Sequence, residues 1–420
     1  MLSALGNAFK IKEIRKKILF VLAMMAIYRI GAFIPVPGID VAALQQQLFG
    51  GAGGEVFGFL DLFAGGALSN FSVFAMSITP YITASIIIQL LGGVIPALEE
   101  LQRSGPEGRK KITQYTRYGT IVLAVIQAFG ITMLVRGAVY NPTFFNLTLI
   151  VISLTAGTAF LMWLGEQITE KGIGNGISII IFTSIVSRFP GQILQTIQLY
   201  RTREINELDL ALFLLMAIII VVGIIFISLG ERRIPVQYSK RIVGRKVYGG
   251  RSTHIPMKIN QAGVIPVIFA SSVLMFPAVI GEVVPIGIIT RIGRLFAHGS
   301  PTFLVGYGVL IFLFTYFWTA FTFNPEEVAE NMKKYGGFIP GIRPGKATVN
   351  YLNKVITRVT TAGALFLTVI SLLPYGVSAI TNVAIMLDGT SILILVGVAL
   401  QTMQQIESQL LMRHYEGFMK

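Results

Sequence analysis

Long apolar runs broken by short polar segments extend along the whole chain. About 20 apolar residues are enough to cross a bilayer. Ten runs read as crossings, near Lys17–Ile34, Phe71–Ala97, Tyr118–Val135, Phe144–Leu164, Ile173–Leu194, Leu208–Leu229, Ile259–Ile280, Thr302–Phe323, Val359–Leu373 and Gly389–Gln405. The stretch Phe57–Pro96 organises the rest, because it carries no charge between Asp61 and Glu99. Ahead of the second crossing lies Gly58–Ser69, apolar but too short to span, with Gly65 and Gly66 side by side. Two glycines in a row break a helix, since glycine loses the most backbone freedom on ordering. The chain is therefore expected to dip into the membrane, break, and then cross. Broken backbone at membrane depth is tolerated only inside protein or beside a water-filled cavity, which points to a pore or transport pathway. On its residues alone, the short piece reads equally well as a helix lying in the membrane interface.

Composition agrees with the pattern. Of 420 residues, 54% are hydrophobic and 13% charged, where a soluble protein carries about 25% charged. The expected class is an all-α polytopic membrane protein. With no cysteine in the sequence, disulfide and thiolate chemistry is excluded. His254, His298 and His414 are too scattered to suggest a metal site, and no nucleotide or catalytic motif is visible, so no cofactor and no covalent chemistry are expected. The segment interiors lack ionisable residues apart from Arg29, which stands near an outer helix end and can snorkel to the interface; Arg188 lies near the end of its own segment. That pattern weakens the alternative of an ion-coupled secondary transporter for a small solute.

Net charge is +14. Placing both termini in the cytoplasm puts most Lys and Arg on the inner side, as topology requires. Ten crossings divide as five and five, 1–200 and 201–420, and an odd number per half implies inverted halves. Two inner loops are long. Residues 231–260 hold eight basic residues, among them Arg241, Arg245, Lys246 and Arg251, interleaved with Tyr238 and Tyr248. Such a loop either marks topology or docks RNA or an acidic protein. Residues 324–354 contain GGFIPGIRPG, a Pro- and Gly-rich tip presenting Arg343.

Several stretches resemble the SecY family of protein-conducting channels: RIGAFIPVPGID (Arg29–Asp40), FAGGALSNFSVFAMSITPYITASIIIQLL (Phe63–Leu91), QYTRYGT (Gln114–Thr120), MWLGEQITEKGIGNGISIIIF (Met162–Phe182), RSTHIPMKINQAGVIPVIFASS (Arg251–Ser272) and FNPEEVAENMKKYGGFIPGIRPG (Phe323–Gly345). The resemblance runs nearly end to end, weakest in the outer loops and over Glu282–Ser300. It implies an hourglass of ten transmembrane helices in two inverted five-helix halves. The short broken helix at about 58–69 would be a plug, with Gly58, Phe59, Leu60, Asp61, Leu62, Phe63, Ala64, Gly65 and Gly66 at its centre. The resemblance also implies a pore ring of Ile78, Ile82, Ile177, Ile181, Ile268 and Ile394. The second and seventh crossings would line a lateral gate, with Thr83 and Phe276 facing, and Pro80, Pro266 and Pro277 would interrupt their helices and ease bending. Arg241, Arg245, Lys246, Arg251 and Arg343 would dock the SecA motor ATPase or a ribosome. Partner subunits SecE and SecG, signal peptides and nascent polypeptides as cargo, lipid on the outside, and residence in the bacterial cytoplasmic membrane complete the implied picture.

Overall fold

A computed structural model describes residues 9–49, 54–203, 205–238, 241–243, 246–248, 252–283, 287, 293, 295–296, 299–381 and 389–418. Its helices and strands follow in chain order as α1 (Lys12–Gly31), α2 (Val41–Phe49), α3 (Gly54–Ala64), α4 (Thr79–Gly92), α5 (Pro96–Arg103), α6 (Pro106–Leu134), α7 (Phe144–Lys171), α8 (Gly176–Arg201), α9 (Glu207–Leu229), β1 (Glu231–Tyr238), β2 (Arg241–Val243), β3 (Lys246–Tyr248), β4 (Ser252–Lys258), α10 (Ile265–Val283), α11 (Pro301–Thr322), α12 (Pro325–Lys334), β5 (Gly337–Phe338), α13 (Lys346–Thr381) and α14 (Gly389–Phe418). Each of the ten predicted crossings holds a helix. Among the described residues, seven helices are long and apolar enough to span, and the bent pair α4–α5 adds an eighth. Helix α9 leaves Leu215, Ile218, Ile219, Val222 and Phe226 exposed, an apolar surface suited to hydrocarbon. The chain is a multi-pass membrane protein.

The second crossing departs from expectation. Its helix has only 14 residues, Thr79–Gly92, and bends by 104° into α5. Phe71–Ile78 is irregular instead, with Phe71 and Ser77 in the left-handed region at φ 40° and 53°. Packing maintains this unusual backbone, for Phe71 and Ser77 are both buried. Its polar groups find partners inside the protein, Val36 N–H donating to Phe71 O and Val73 N–H to Ile34 O. Proline placement differs too. Pro80 sits in the first turn of α4, where its missing N–H is harmless. Pro266 is likewise the second residue of α10, so neither interrupts a helix; Pro277 alone of the three lies within one.

Two compact units emerge. The first comprises Met1–Thr202, Ala278–His298 and Val398–Lys420, the second Arg203–Pro277 and Gly299–Gly397. In the first, helices approach closely where glycine replaces a side chain. A Cβ on Gly157 of α7 would lie 1.8 Å from the Val73 carbonyl, and one on Gly176 of α8 1.8 Å from that of Gly165. Buried threonines return their hydroxyls to their own helix, as Thr120 to Thr116 O and Thr158 to Leu154 O, which satisfies these donors in an apolar interior. Arg117 of α6 pairs with Glu166 of α7 at 2.7 Å. Ile14 of α1, Ile173 and Ile406 of α14 form a small apolar cluster, beside which Gly174 N–H donates to the Gln405 side-chain oxygen at 2.6 Å.

In the second unit, both long loops carry structure that the sequence did not suggest. Strands β4, β1 and β5 form a three-stranded sheet, and β2–β3 a separate two-stranded one. Ile234, Val236 and Met257 turn inward onto Ala329 and Met332 of α12 and Leu352 and Val355 of α13. Pro235 and Pro256 within the strands argue against sheet when read from sequence, yet burial against two helices overrides them. Pro235 stands opposite His254 and Pro256 opposite Arg233.

Candidate functional site

The predicted break is present, and its chemistry is explicit. Helix α3 begins at Gly54, earlier than expected, and ends at Ala64. Gly65 and Gly66 follow with φ +65° and +87°, angles that side-chain-bearing residues rarely adopt. Gly66 N–H donates to Asp61 O and Gly65 N–H to Leu62 O, the paired pattern by which a glycine C-terminus consumes orphan carbonyls. The next carbonyls are taken by side chains from other elements. Ser77 Oγ donates to Phe63 O at 2.9 Å, Tyr28 Oη to Ala64 O at 3.0 Å and Arg29 Nη1 to Gly65 O at 2.8 Å.

Asp61 is wholly buried. Its Oδ1 accepts from Leu68 N–H at 2.9 Å and Ser69 N–H at 3.0 Å, folding the turn after the helix back onto it. Its Oδ2 pairs with the Arg188 guanidinium of α8. Leu62 and Ala64 are buried, while Gly58, Leu60 and Phe63 are half-buried. The segment is therefore packed within the first unit. The Phe59 side chain falls outside the described residues.

The other predicted positions are distributed as follows. Ile78, at the N-cap of α4, and Ile181, on α8, are buried; Ile82 and Ile177 are half-buried. These four belong to the first unit. Ile268, half-buried on α10, and Ile394, buried on α14, belong to the second. Thr83 is half-buried on α4 and returns its hydroxyl to Thr79 O. Phe276 lies on α10, with its side chain outside the described residues. Arg343 is exposed. Arg241 and Lys246 pair through their strands with Tyr248 and Val243, but their side chains are not among those described, and Arg245 and Arg251 lie outside the described residues.

The polar network around the break was not foreseen. Arg29 is not free to snorkel, because it holds a carbonyl inside the protein and rests over the Phe33 ring at 4.5 Å. A signal was available. Asp61 and Arg188 are isolated opposite charges bordering apolar stretches, and a charge held in such surroundings requires a partner.

Comparison with known proteins agrees with this architecture. A sequence model of the SecY family matches residues 72–403. The protein translocase subunit SecY of Thermotoga maritima is 47% identical, covering 100% of this chain and 98% of its own. That of Thermus thermophilus is 45% identical with the same coverage. A solved protein-conducting channel shares the fold with a TM-score of 0.67 at 20% identity, over 93% of this chain and 91% of its own. Sec61 from the canine ribosome-channel complex of the endoplasmic reticulum gives 0.60 at 18% identity over the same shares. Near-half identity across the full length, on that shared fold, makes this chain a member of the SecY family.

Proposed function

We propose that this chain is the central pore-forming subunit of a protein translocation channel. It passes unfolded secretory polypeptides across the membrane and releases transmembrane segments sideways into the bilayer. The observation that carries the reading is α3, a broken helix too short to span, buried among crossings in a chain whose relatives are translocase subunits. The secondary-transporter reading finds no support among those relatives.

The mechanism follows from the residues assigned to it. Ile78, Ile82, Ile177, Ile181, Ile268 and Ile394 are assigned to a narrow apolar constriction. An apolar ring resists wetting and offers ions no fixed charge, yet it yields to a chain of any sequence because it makes no specific hydrogen bonds. At rest the plug, about 58–69, fills the outer side. Thr83 and Phe276 are assigned to the seam through which apolar signal helices leave. The halves assigned here are 1–200 and 201–420.

Force comes from a partner, the SecA ATPase or a translating ribosome. The solved neighbours include channels bound to canine and yeast ribosomes. Arg241, Arg245, Lys246, Arg251 and Arg343 are the proposed contacts. SecE and SecG complete the assembly in the bacterial cytoplasmic membrane. The basic excess of the inner segments supports cytoplasmic termini.

The test is to reconstitute the full-length chain with its small subunits, with and without residues 58–69, and record resting currents alongside export of a secreted precursor. The deletion is expected to leak while still exporting. A deletion conducting no more than the parent sinks the assignment of the plug, and a parent that carries no precursor sinks the channel reading.

A further inference from the structure

We infer that Tyr28 and Arg29 of α1 are positioning residues for the plug: they cap its C-terminal end from outside and set how firmly it stays docked. The inference rests on the reading of α3 as the plug.

A helix leaves its last carbonyls without partners. Here the glycine pair supplies N–H groups to Asp61 O and Leu62 O, and Ala67 N–H reaches Ala64 O at 3.2 Å; the second lone pair of that carbonyl and the Gly65 carbonyl, which no backbone N–H among the described residues reaches, are met by side chains. Tyr28 and Arg29 are consecutive, and they reach these consecutive carbonyls. The negative end of a helix also favours a cation, which the Arg29 guanidinium provides.

Both side chains are held in place before they meet the plug. Tyr28 is 0% exposed and shares a hydrogen bond with Ser184 Oγ at 2.6 Å. Its ring stacks on Phe74 with centroids 6.0 Å apart and planes 2° apart. Phe74 fits there because Gly31 has no Cβ; one would sit 2.0 Å from the Phe74 ring. Arg29 lies over Phe33 and also donates to Ser187 Oγ at 3.3 Å. A guanidinium so placed costs little rotamer entropy to order, and its bond to a carbonyl is charge-assisted. An interface anchor would instead send its charge outward to headgroups.

The arrangement also permits release. When the plug leaves, Arg29 keeps the Phe33 face and Ser187, so the clamp opens without stranding its charge. The first crossing is therefore part of the seal as well as a membrane anchor.

The experiment uses the native absence of cysteine. A single Leu60→Cys substitution reports plug exposure to a membrane-impermeant thiol reagent in reconstituted full-length protein. Arg29→Gln is expected to raise the labelling rate by about tenfold, the scale of one lost charge-assisted hydrogen bond. Arg29→Lys, which keeps the cation, is expected to recover most of the protection, and Tyr28→Phe, which keeps the ring, to give an intermediate rate. In a second arm, resting conductance is measured with and without residues 58–69. Arg29→Gln is expected to raise conductance only when the plug is present. Unchanged labelling in Arg29→Gln, or an equal rise in conductance with the plug deleted, overturns the inference. A plug deletion that fails to leak counts against the sealing role alone, since the labelling arm still reads the clamp.

Discussion

The carboxylate of Asp61 on α3 and the guanidinium of Arg188 on α8 form an ion pair in which the acid is 0% exposed and the arginine side chain 22%. The two are 127 residues apart in sequence. A buried pair is a weak source of net stability, because desolvation offsets most of the attraction; removing one partner, however, strands the other and costs about 3–5 kcal/mol. On the proposed reading of α3 as a plug, that asymmetry suits an element that holds and then lets go: an undocked Asp61 would recover its hydration in water, and Arg188 is already partly solvated.

A specific expectation follows for the pair. Arg188→Gln alone is expected to undock α3 and, if α3 is the plug proposed above, to raise resting conductance strongly. Combining it with Asp61→Asn is expected to return conductance close to the parent. The amide introduced by that substitution keeps a side-chain oxygen to accept from Leu68 and Ser69 N–H, as the carboxylate does, while no charge remains buried. Planar-bilayer recording of the single and double variants decides the matter. A double variant as leaky as Arg188→Gln would mean that the charge pair is not what holds α3.

Much of the architecture was legible because lipid imposes a simple rule: long apolar runs must be helices. The Gly65–Gly66 break was legible for an equally local reason. What escaped was decided by tertiary packing. Phe71–Ile78 is as apolar as the helix after it, and nothing local distinguishes a helical from an irregular backbone there; the difference lies in close contacts such as Gly157 against Val73. The sheet of the first long loop was hidden by Pro235 and Pro256 and by charges at Glu231, Arg232 and Arg233, and only α12 and α13 give its inner face something to bury against. Arg29 looked like an interface residue because its partner is a backbone carbonyl, which leaves no trace in side-chain patterns.

The close approach at Gly157 is testable by packing. A methyl group at this position would meet the Val73 carbonyl at 1.8 Å, and a backbone carbonyl has no rotamer by which to move aside. Gly157→Ala is expected to destabilise the first unit by about 1–3 kcal/mol and to displace the irregular stretch that ends at Ile78. Gly191→Ala on α8 is the control. Nothing lies within 4 Å of its added methyl, and helix propensity favours alanine over glycine by about 1 kcal/mol. Thermal unfolding of the detergent-solubilised protein should place the two variants on opposite sides of the parent. Equal melting temperatures would show that α7 and the connector do not pack this tightly.

The tip of the second long loop combines a fixed backbone with a free charge. Gly341 and Gly345 adopt φ +80° and +107° on either side of Ile342–Arg343–Pro344. Ile342 packs against the cluster beneath the sheet, and Thr348 Oγ1 donates to the Arg343 carbonyl at 3.0 Å. The Arg343 side chain itself is exposed. Arg343→Glu therefore leaves every backbone tie intact and should change stability by no more than about 0.5 kcal/mol, as surface substitutions do. Its effect belongs to whatever the loop meets. If an acidic site on the motor ATPase docks there, charge reversal replaces attraction by repulsion, and motor-driven export should fall by about tenfold or more, the equivalent of roughly 1.4 kcal/mol. Gly341→Ala acts by the other route, straining a positive-φ turn and moving the whole tip, so it should impair docking even with Arg343 present. The decisive measurement is ATP-dependent translocation of a secreted precursor into proteoliposomes carrying equal amounts of parent or variant channel, with melting temperature measured in parallel. Parent-like export by a normally folded Arg343→Glu channel would remove this arginine from the docking surface, whereas lost export accompanied by a lowered melting temperature would trace the effect to the loop's own structure.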